Sequence, residues 1–216
     1  AKMSKQLCFQ LNEIFIPVLT KNSKLFNKIS ISAKELTQEN YCCKNASATG
    51  FSRGVDSFDT ICSLSENSTE KLSHLTFFNV GSHRSTANYT PEQSAELYEN
   101  RLEIAKKSAK IFDMPLIDIN SNLGEHLTLP YVKVHHYCSF SAVLCMQKFF
   151  KNYYYASGYP ISSFSIKQCD TGSAHYEAFT ASMLSTESTA FYITGLEKTR
   201  LEKVDFISKF PITYDN

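Results

Sequence analysis

Leu75-Thr76-Phe77-Phe78-Asn79-Val80 concentrates branched and aromatic residues and is closed by Gly81, which predicts a β-strand. Thr90-Pro91-Glu92-Gln93 then reads as a helix start, with Thr at the cap, Pro in the first turn and Gln at the third helical position. Leu97, Arg101, Ile104, Ala105, Ser108 and Phe112 fall near one face of that helix. Glu99, Glu103, Lys106, Lys107 and Lys110 fall largely elsewhere, so it is an amphipathic surface helix. It ends at Met114-Pro115, because the residue before proline resists helical angles.

Leu116 to Ile119 reads as a second strand. His136 to about Lys151 is apolar around most of its surface, with Phe140, Val143, Leu144, Phe149 and Phe150, and predicts a buried helix. Tyr153 to Ala156 predicts a third strand ending at Ser157-Gly158. Tyr176 to Leu184 suggests a helix, Ala190 to Thr194 a short strand and Leu201 to Ile207 a last helix. Upstream, Ala46 to Phe51 is a run of small residues, plausible as a tightly packed strand. The helical pattern after it carries Phe58, Ile61 and Cys62 on one side.

Strand and helix thus alternate from about residue 41, the order that produces a parallel sheet covered on both faces. The expected fold class is α/β: a Rossmann-like α/β/α sandwich with a mostly parallel sheet. Residues 1–40 mix short apolar runs (Ile14 to Leu19, Ile29 to Ile31) with polar breaks. They form either an N-terminal hairpin or a small appended lobe, ahead of a main domain over 41–216.

In such sheets ligands bind beyond the carboxyl ends of the strands. The turn at Ser52 to Ser57, Gly81, and Ser157-Gly158 all follow predicted strands and should line one rim. The first of these, Gly50-Phe51-Ser52-Arg53-Gly54-Val55-Asp56-Ser57-Phe58, places small residues, a cation, a carboxylate and hydroxyls at a helix start. Free N–H groups and aligned peptide dipoles make that position an anion site.

Composition changes this picture little. The chain of 216 residues is 43% hydrophobic and 20% charged, enough for one sizeable core. A net charge of +1 gives no electrostatic case for nucleic acid or a membrane surface. No run approaches the ~18 apolar residues of a membrane span, and no secretory cleavage pattern opens the sequence. The 7 cysteines include no CxxC spacing, which argues for reduced thiols rather than a disulfide framework or a zinc site within this chain. A cytoplasmic compartment fits, and the N-x-S/T triplets at Asn45, Asn67 and Asn88 read as chance matches.

The turn is neither a Walker A loop nor a dinucleotide fingerprint, since Gly54 is followed by Val55-Asp56 and no G-x-G-x-x-G is present. Ser52-Arg53-Gly54-Val55-Asp56-Ser57 resembles the S-G-G-x-D-S loop of the PP-loop ATP pyrophosphatases, the adenine nucleotide alpha hydrolase superfamily. That superfamily includes NAD synthetase, GMP synthetase and argininosuccinate synthetase. The resemblance runs from about Cys42 onward, through Phe78-Asn79-Val80, Tyr155-Ala156-Ser157-Gly158, Leu184-Ser185-Thr186-Glu187, Gly195 and Arg200-Leu201-Glu202-Lys203. Order and spacing are similar to the 7-cyano-7-deazaguanine synthase-like members.

The resemblance implies ATP and Mg²⁺ as cofactors and a small-molecule acceptor as the second substrate. A substrate oxygen would attack the alpha phosphorus and release pyrophosphate. Ser52, Arg53, Gly54, Val55, Asp56 and Ser57 would hold the pyrophosphate, with Asp56 organising Mg²⁺ or the loop. The main chain at Phe78, Asn79 and Val80 would take the adenine. Ser157 and Gly158 would approach the alpha phosphate or ribose. Asp56, Ser57, Arg200 and Lys203 are the candidate catalytic residues. Arg200 and Lys203 lie one helical turn apart, either facing the same phosphates or forming a solvated face. A homodimer is compatible with this reading.

Arg53 stands where the family has glycine, so it must keep φ negative or accept strain. This leaves two alternatives open: an adenylating enzyme, or a nucleotide-binding module without the chemistry. A relative that reduces an adenylyl sulfate is a third, but it would want a reactive cysteine near the rim. Many deazaguanine-synthase-like members continue into a zinc-binding cysteine cluster. None follows Phe210-Pro211 here, which implies a truncated domain or a lineage without that module.

Other constellations are weaker. His135-His136 are adjacent and so poor co-ligands, with no acidic or cysteine partner nearby in sequence. Asp170 and Glu177 flank a loop containing Gly172 and His175, suited to capping, to a metal or to the acceptor. His83-Arg84 and His126 read as loop residues on the ligand rim.

Overall fold

The computed structural model describes residues 2–66, 69, 71–83, 89–127, 129–168 and 171–214. Arg84, Asp170 and the triplets beginning at Asn67 and Asn88 lie outside those described residues or run into their gaps. The chain opens with strand β1 (Lys2–Ser4), then a helical run of α1 (Lys5–Phe9), a π-helical stretch (Gln10–Phe15) and α2 (Ile16–Asn22). Strand β2 (Glu35–Thr37) pairs with β1 in parallel. A hairpin is therefore excluded, since its two strands would be antiparallel. Ile14 to Leu19 belongs to the helical run. Phe15 and Leu19 bury against Tyr176, and Gln10 Nε2 donates to the Ser182 carbonyl at 2.7 Å, which docks this segment on the main body.

The main sheet is built from β3 (Ala46–Gly50), β4 (His74–Asn79), β5 (Leu116–Asn120), β6 (Phe150–Ala156) and β7 (Ala190–Thr194). Their order is β5-β4-β3-β6-β7, and every pairing is parallel. Helices α3 (Val55–Glu66), α4 (Pro91–Ile111), α5 (Leu123–His126), α6 (His135–Cys145), α7 (Glu177–Leu184) and α8 (Arg200–Ile207) connect and cover the strands. On one face Phe51, Phe58, Ile61, Leu75, Phe77, Leu102, Ala105 and Ile207 form a core with α3, α4 and α8. On the other, Ala46, Ala48, Phe140, Val143, Phe150, Tyr153 and Ala181 pack with α6 and α7. This is the α/β/α sandwich that the alternation predicts.

The centre of the sheet explains the run of small residues. Gly50 lies so close to Tyr153 that a Cβ on it would sit 3.4 Å from the phenol oxygen. That oxygen bonds Thr76 Oγ1 at 2.8 Å, and Thr49 Oγ1 donates to the Tyr154 carbonyl at 2.7 Å. Polar groups buried between strands are thereby satisfied.

Two elements differ from their sequence patterns. The helix predicted over His136 to Lys151 stops at Cys145. Phe149 donates its N–H to Met146 in a tight turn, and Phe150 opens β6 beside Ala46. Burial of Phe150 in the sheet core and the ladder bonds outweigh two further helical turns. On α4 the buried residues are Ser94, Tyr98, Leu102, Ala105, Ser108 and Ala109, so Ala105 and Ser108 of the expected face point inward while Ile104 is exposed. The inward face centres on Tyr98 and Leu102, which leaves Arg101 beside it, lining the cleft.

Candidate functional site

β4 and β6 lie on opposite sides of β3, so the strand order reverses beside β3. A cleft of about 580 Å³ opens at the carboxyl ends of these three strands. Its walls include Phe51 to Arg53, Asp56 and Ser57 after β3, Phe78, Ser82 and His83 at the end of β4, and Tyr155 and Ala156 at the end of β6.

The turn after β3 is held by its own polar groups. Ser52 Oγ accepts the Gly54 N–H at 3.3 Å, and Ser57 Oγ donates to the Gly54 carbonyl at 2.8 Å. The Gly54 carbonyl also takes the Phe58 N–H at 3.1 Å, the first bond of α3. Arg53 holds φ at 61°. That is the left-handed region, disfavoured for a residue with a Cβ and costing about 1–2 kcal/mol. Its Nε is buried and makes no hydrogen bond. A strained backbone and a buried unpaired donor meet in one residue of the cleft wall.

Asp56, on the first turn of α3, is gripped from α8. Arg200 Nη1 bonds Asp56 Oδ2 at 2.7 Å, and Lys203 Nζ reaches Oδ1 at 3.2 Å. Lys203 is 1% exposed and also donates to the Ser157 carbonyl at 2.5 Å. It therefore ties α3, α8 and the end of β6 together. The reach of α8 is set by its capping box: Thr199 Oγ1 accepts the Glu202 N–H while Glu202 accepts the Thr199 N–H. Gly195, at φ 71°, makes room; a Cβ there would come within 2.8 Å of Asp59 and 2.9 Å of Lys203. Beside this cluster Lys198 pairs with buried Asp59 at 2.7 Å and lies over the Phe206 ring.

These contacts bury the Lys203 ammonium between Asp56 and Ser157, while Arg200 bonds Asp56 through Nη1 and keeps an exposed side chain. Mg²⁺ commonly uses one or two carboxylates together with substrate phosphates. Held through Asp56, it would share a carboxylate whose two oxygens each already bond one cation.

The remaining rim residues separate. Phe78 lines the cleft and stacks on Tyr153, with centroids 6.1 Å apart. Asn79 turns its side chain to Asn120, and its carbonyl accepts the Ser121 N–H at 3.0 Å. Val80 is buried in a core with Val134 and Cys138. Ser157 is buried beside the cleft with its hydroxyl on Glu177, and Gly158 is exposed. His126 bonds Asn122 at 3.1 Å.

Two further groups join the site. Arg101 from α4 lines the cleft and contacts His83 Nε2 at 3.3 Å. Burial, and then the Arg101 charge, hold the His83 imidazole below its ordinary range. The sequence signal for Arg101 is an arginine within an otherwise apolar stripe. Tyr131, from a 3₁₀ turn ahead of α6, closes the cleft against Gly81, and its sequence carries no such signal.

Behind the end of β6, His135 and His136 of α6 meet Glu177 of α7. One donor atom from each lies within 4.8 Å of the others. The sequence placed no acid near these histidines, because Glu177 arrives through a β-strand and a long connection. Both His136 nitrogens and Glu177 Oε2 are buried without a hydrogen bond. Such atoms cost about 1–3 kcal/mol each. Burial pushes the Glu177 carboxyl up to about 7 and holds His136 well below the usual imidazole range.

No protein-family model and no curated protein sequence matches this chain. Among the described residues no helix is long and apolar enough to cross a membrane, and the described cysteines are free thiols.

Proposed function

We propose that the cleft binds ATP, with its phosphates on the Ser52 to Ser57 turn, and that the protein adenylates a small-molecule acceptor with release of pyrophosphate. The observation that carries this reading is Arg53. Its backbone sits at φ 61°, the conformation glycine would supply in the resembled loop, and its buried Nε has no partner. A bound phosphate would satisfy that donor and draw on the free N–H groups at the start of α3.

The chemistry follows from those groups. An acceptor oxygen forms a bond to the alpha phosphorus while the bond from that phosphorus to the bridging oxygen breaks. The electron pair leaves with pyrophosphate. Its growing charge is met by the Arg53 guanidinium, the α3 N–H groups and Arg101 across the cleft. Mg²⁺, when bound, would neutralise further phosphate charge. Phe78 and Tyr131 supply apolar surface for the base.

One observation favours a second reading, a nucleotide-binding module without the chemistry. Asp56 already carries a cation contact on each oxygen, so a metal there would share the carboxylate with Arg200 and Lys203 and meet their positive charge. Incubation with Mg²⁺ and α-labelled ATP, with and without a metabolite pool, separates the two. Label in AMP supports adenylation. ATP retained intact on the protein supports the binding module. No ATP bound at all overturns both.

A further inference from the structure

The pair of histidines and Glu177 lie behind the cleft, and the proposed ATP chemistry uses none of them. His136 is fully buried and Glu177 is 2% exposed, yet three of their polar atoms have no hydrogen bond. The Ser173 main chain lies near His136 but outside hydrogen-bond geometry with either ring nitrogen. Buried polar atoms in native proteins are almost always satisfied, so an orphaned Glu177 Oε2 beside a His136 ring with neither nitrogen bonded points to a missing partner.

The surrounding bonds match those of a metal centre. His135 Nδ1 lies 3.2 Å from the Val132 carbonyl and 3.0 Å from Ser173 Oγ. Donation from Nδ1 to that carbonyl leaves Nε2 with its lone pair, the arrangement typical of ligating histidines. Glu177 Oε1 accepts the Ser157 hydroxyl, which orients the carboxylate and leaves Oε2 available. The rings are held by packing: His136 lies 4.2 Å from Tyr137 and 5.4 Å from Tyr176, centroid to centroid. Two imidazoles and one carboxylate are a donor set for zinc or a similar transition ion, not for Mg²⁺ or Ca²⁺.

We propose that His135, His136 and Glu177 form a binding site for one divalent transition-metal ion of the zinc class. Three protein ligands leave a fourth position for water or another donor. The ion would clamp the start of α6 to the start of α7. Through Glu177, Ser157 and Lys203 it connects to Asp56 at the mouth of the phosphate turn. Chelation would therefore loosen the end of β6 as well as the two helices.

The full chain, stripped with a chelator and titrated with Zn²⁺, should take up one ion per chain. Co²⁺ in its place should give visible d–d absorption from nitrogen and oxygen ligands without a thiolate charge-transfer band. Glu177→Gln, close in shape and uncharged, and His135→Ala, at a partly exposed position, should each weaken Zn²⁺ binding by about 100-fold or more, since even outer-shell changes cost 10–100-fold. A Cys43→Ser, Cys145→Ser protein should bind as the wild type does. The proposal is overturned if the wild type takes up no Zn²⁺ or Co²⁺. It also fails if Glu177→Gln and His135→Ala, folded by circular dichroism, keep wild-type affinity, or if the ion is lost with the two surface cysteines. The readout is metal content, so it is independent of whether ATP binds.

Discussion

Arg53 holds the left-handed region without the freedom of glycine, and its guanidinium Nε is buried without a partner. Both features destabilise the folded protein. Arg53→Gly should therefore raise stability by about 1 kcal/mol, read as a higher urea midpoint at unchanged slope. The same change should weaken ATP binding. A variant that is no more stable would show that the turn relaxes around arginine at no cost. Cysteine reactivity is set by similar local physics. Burial, and next Asp59 and Glu66, push the Cys62 thiol up to about 11, so its thiolate is scarce at neutral pH. Alkylation followed by peptide mass mapping should label exposed Cys43 and Cys145 quickly and Cys62 only after unfolding. Rapid labelling of Cys62 in the folded protein would contradict its burial.

At the scale of elements, α8 is the lever that fixes the site. Its first turn carries Arg200 and its second Lys203, and the capping box at Thr199 and Glu202 fixes where that turn begins. Thr199→Ala removes the side-chain cap and should cost about 1 kcal/mol of stability. It should also loosen Asp56, detectable as faster amide exchange in the first turn of α3. An exchange pattern unchanged at α3 would show that α8 does not position the turn. The N-terminal helices act differently. They bury Phe15 and Leu19 against Tyr176, the residue that precedes α7 and packs on His136.

Across the whole molecule, the sheet was readable because its strands are punctuated. Gly81 and Ser157-Gly158 mark two ends, and Thr90-Pro91 marks a helix start without ambiguity. Phe149 and Phe150 misled because a short apolar run suits a buried helix and a buried strand alike, and only pairing with Ala46 decides between them. The N-terminal segment carries no strong period, so its π-helical turn and parallel pairing could not be read. In the cleft, the turn after β3 was legible as local chemistry. The grip of Arg200 and Lys203 on Asp56, and the meeting of His135, His136 and Glu177, depend on contacts between residues far apart in sequence. Local spacing holds no information about them.

As proposed, the turn after β3 cradles the phosphates of ATP. Calorimetric titration of the wild type and Arg53→Ala with Mg·ATP, and with pyrophosphate as competitor, tests it most directly. One ATP should bind per chain, pyrophosphate should displace it, and Arg53→Ala should weaken binding about tenfold or more, the effect of one charged hydrogen bond. ATP binding that pyrophosphate does not displace, and that Arg53→Ala leaves unchanged, would contradict it.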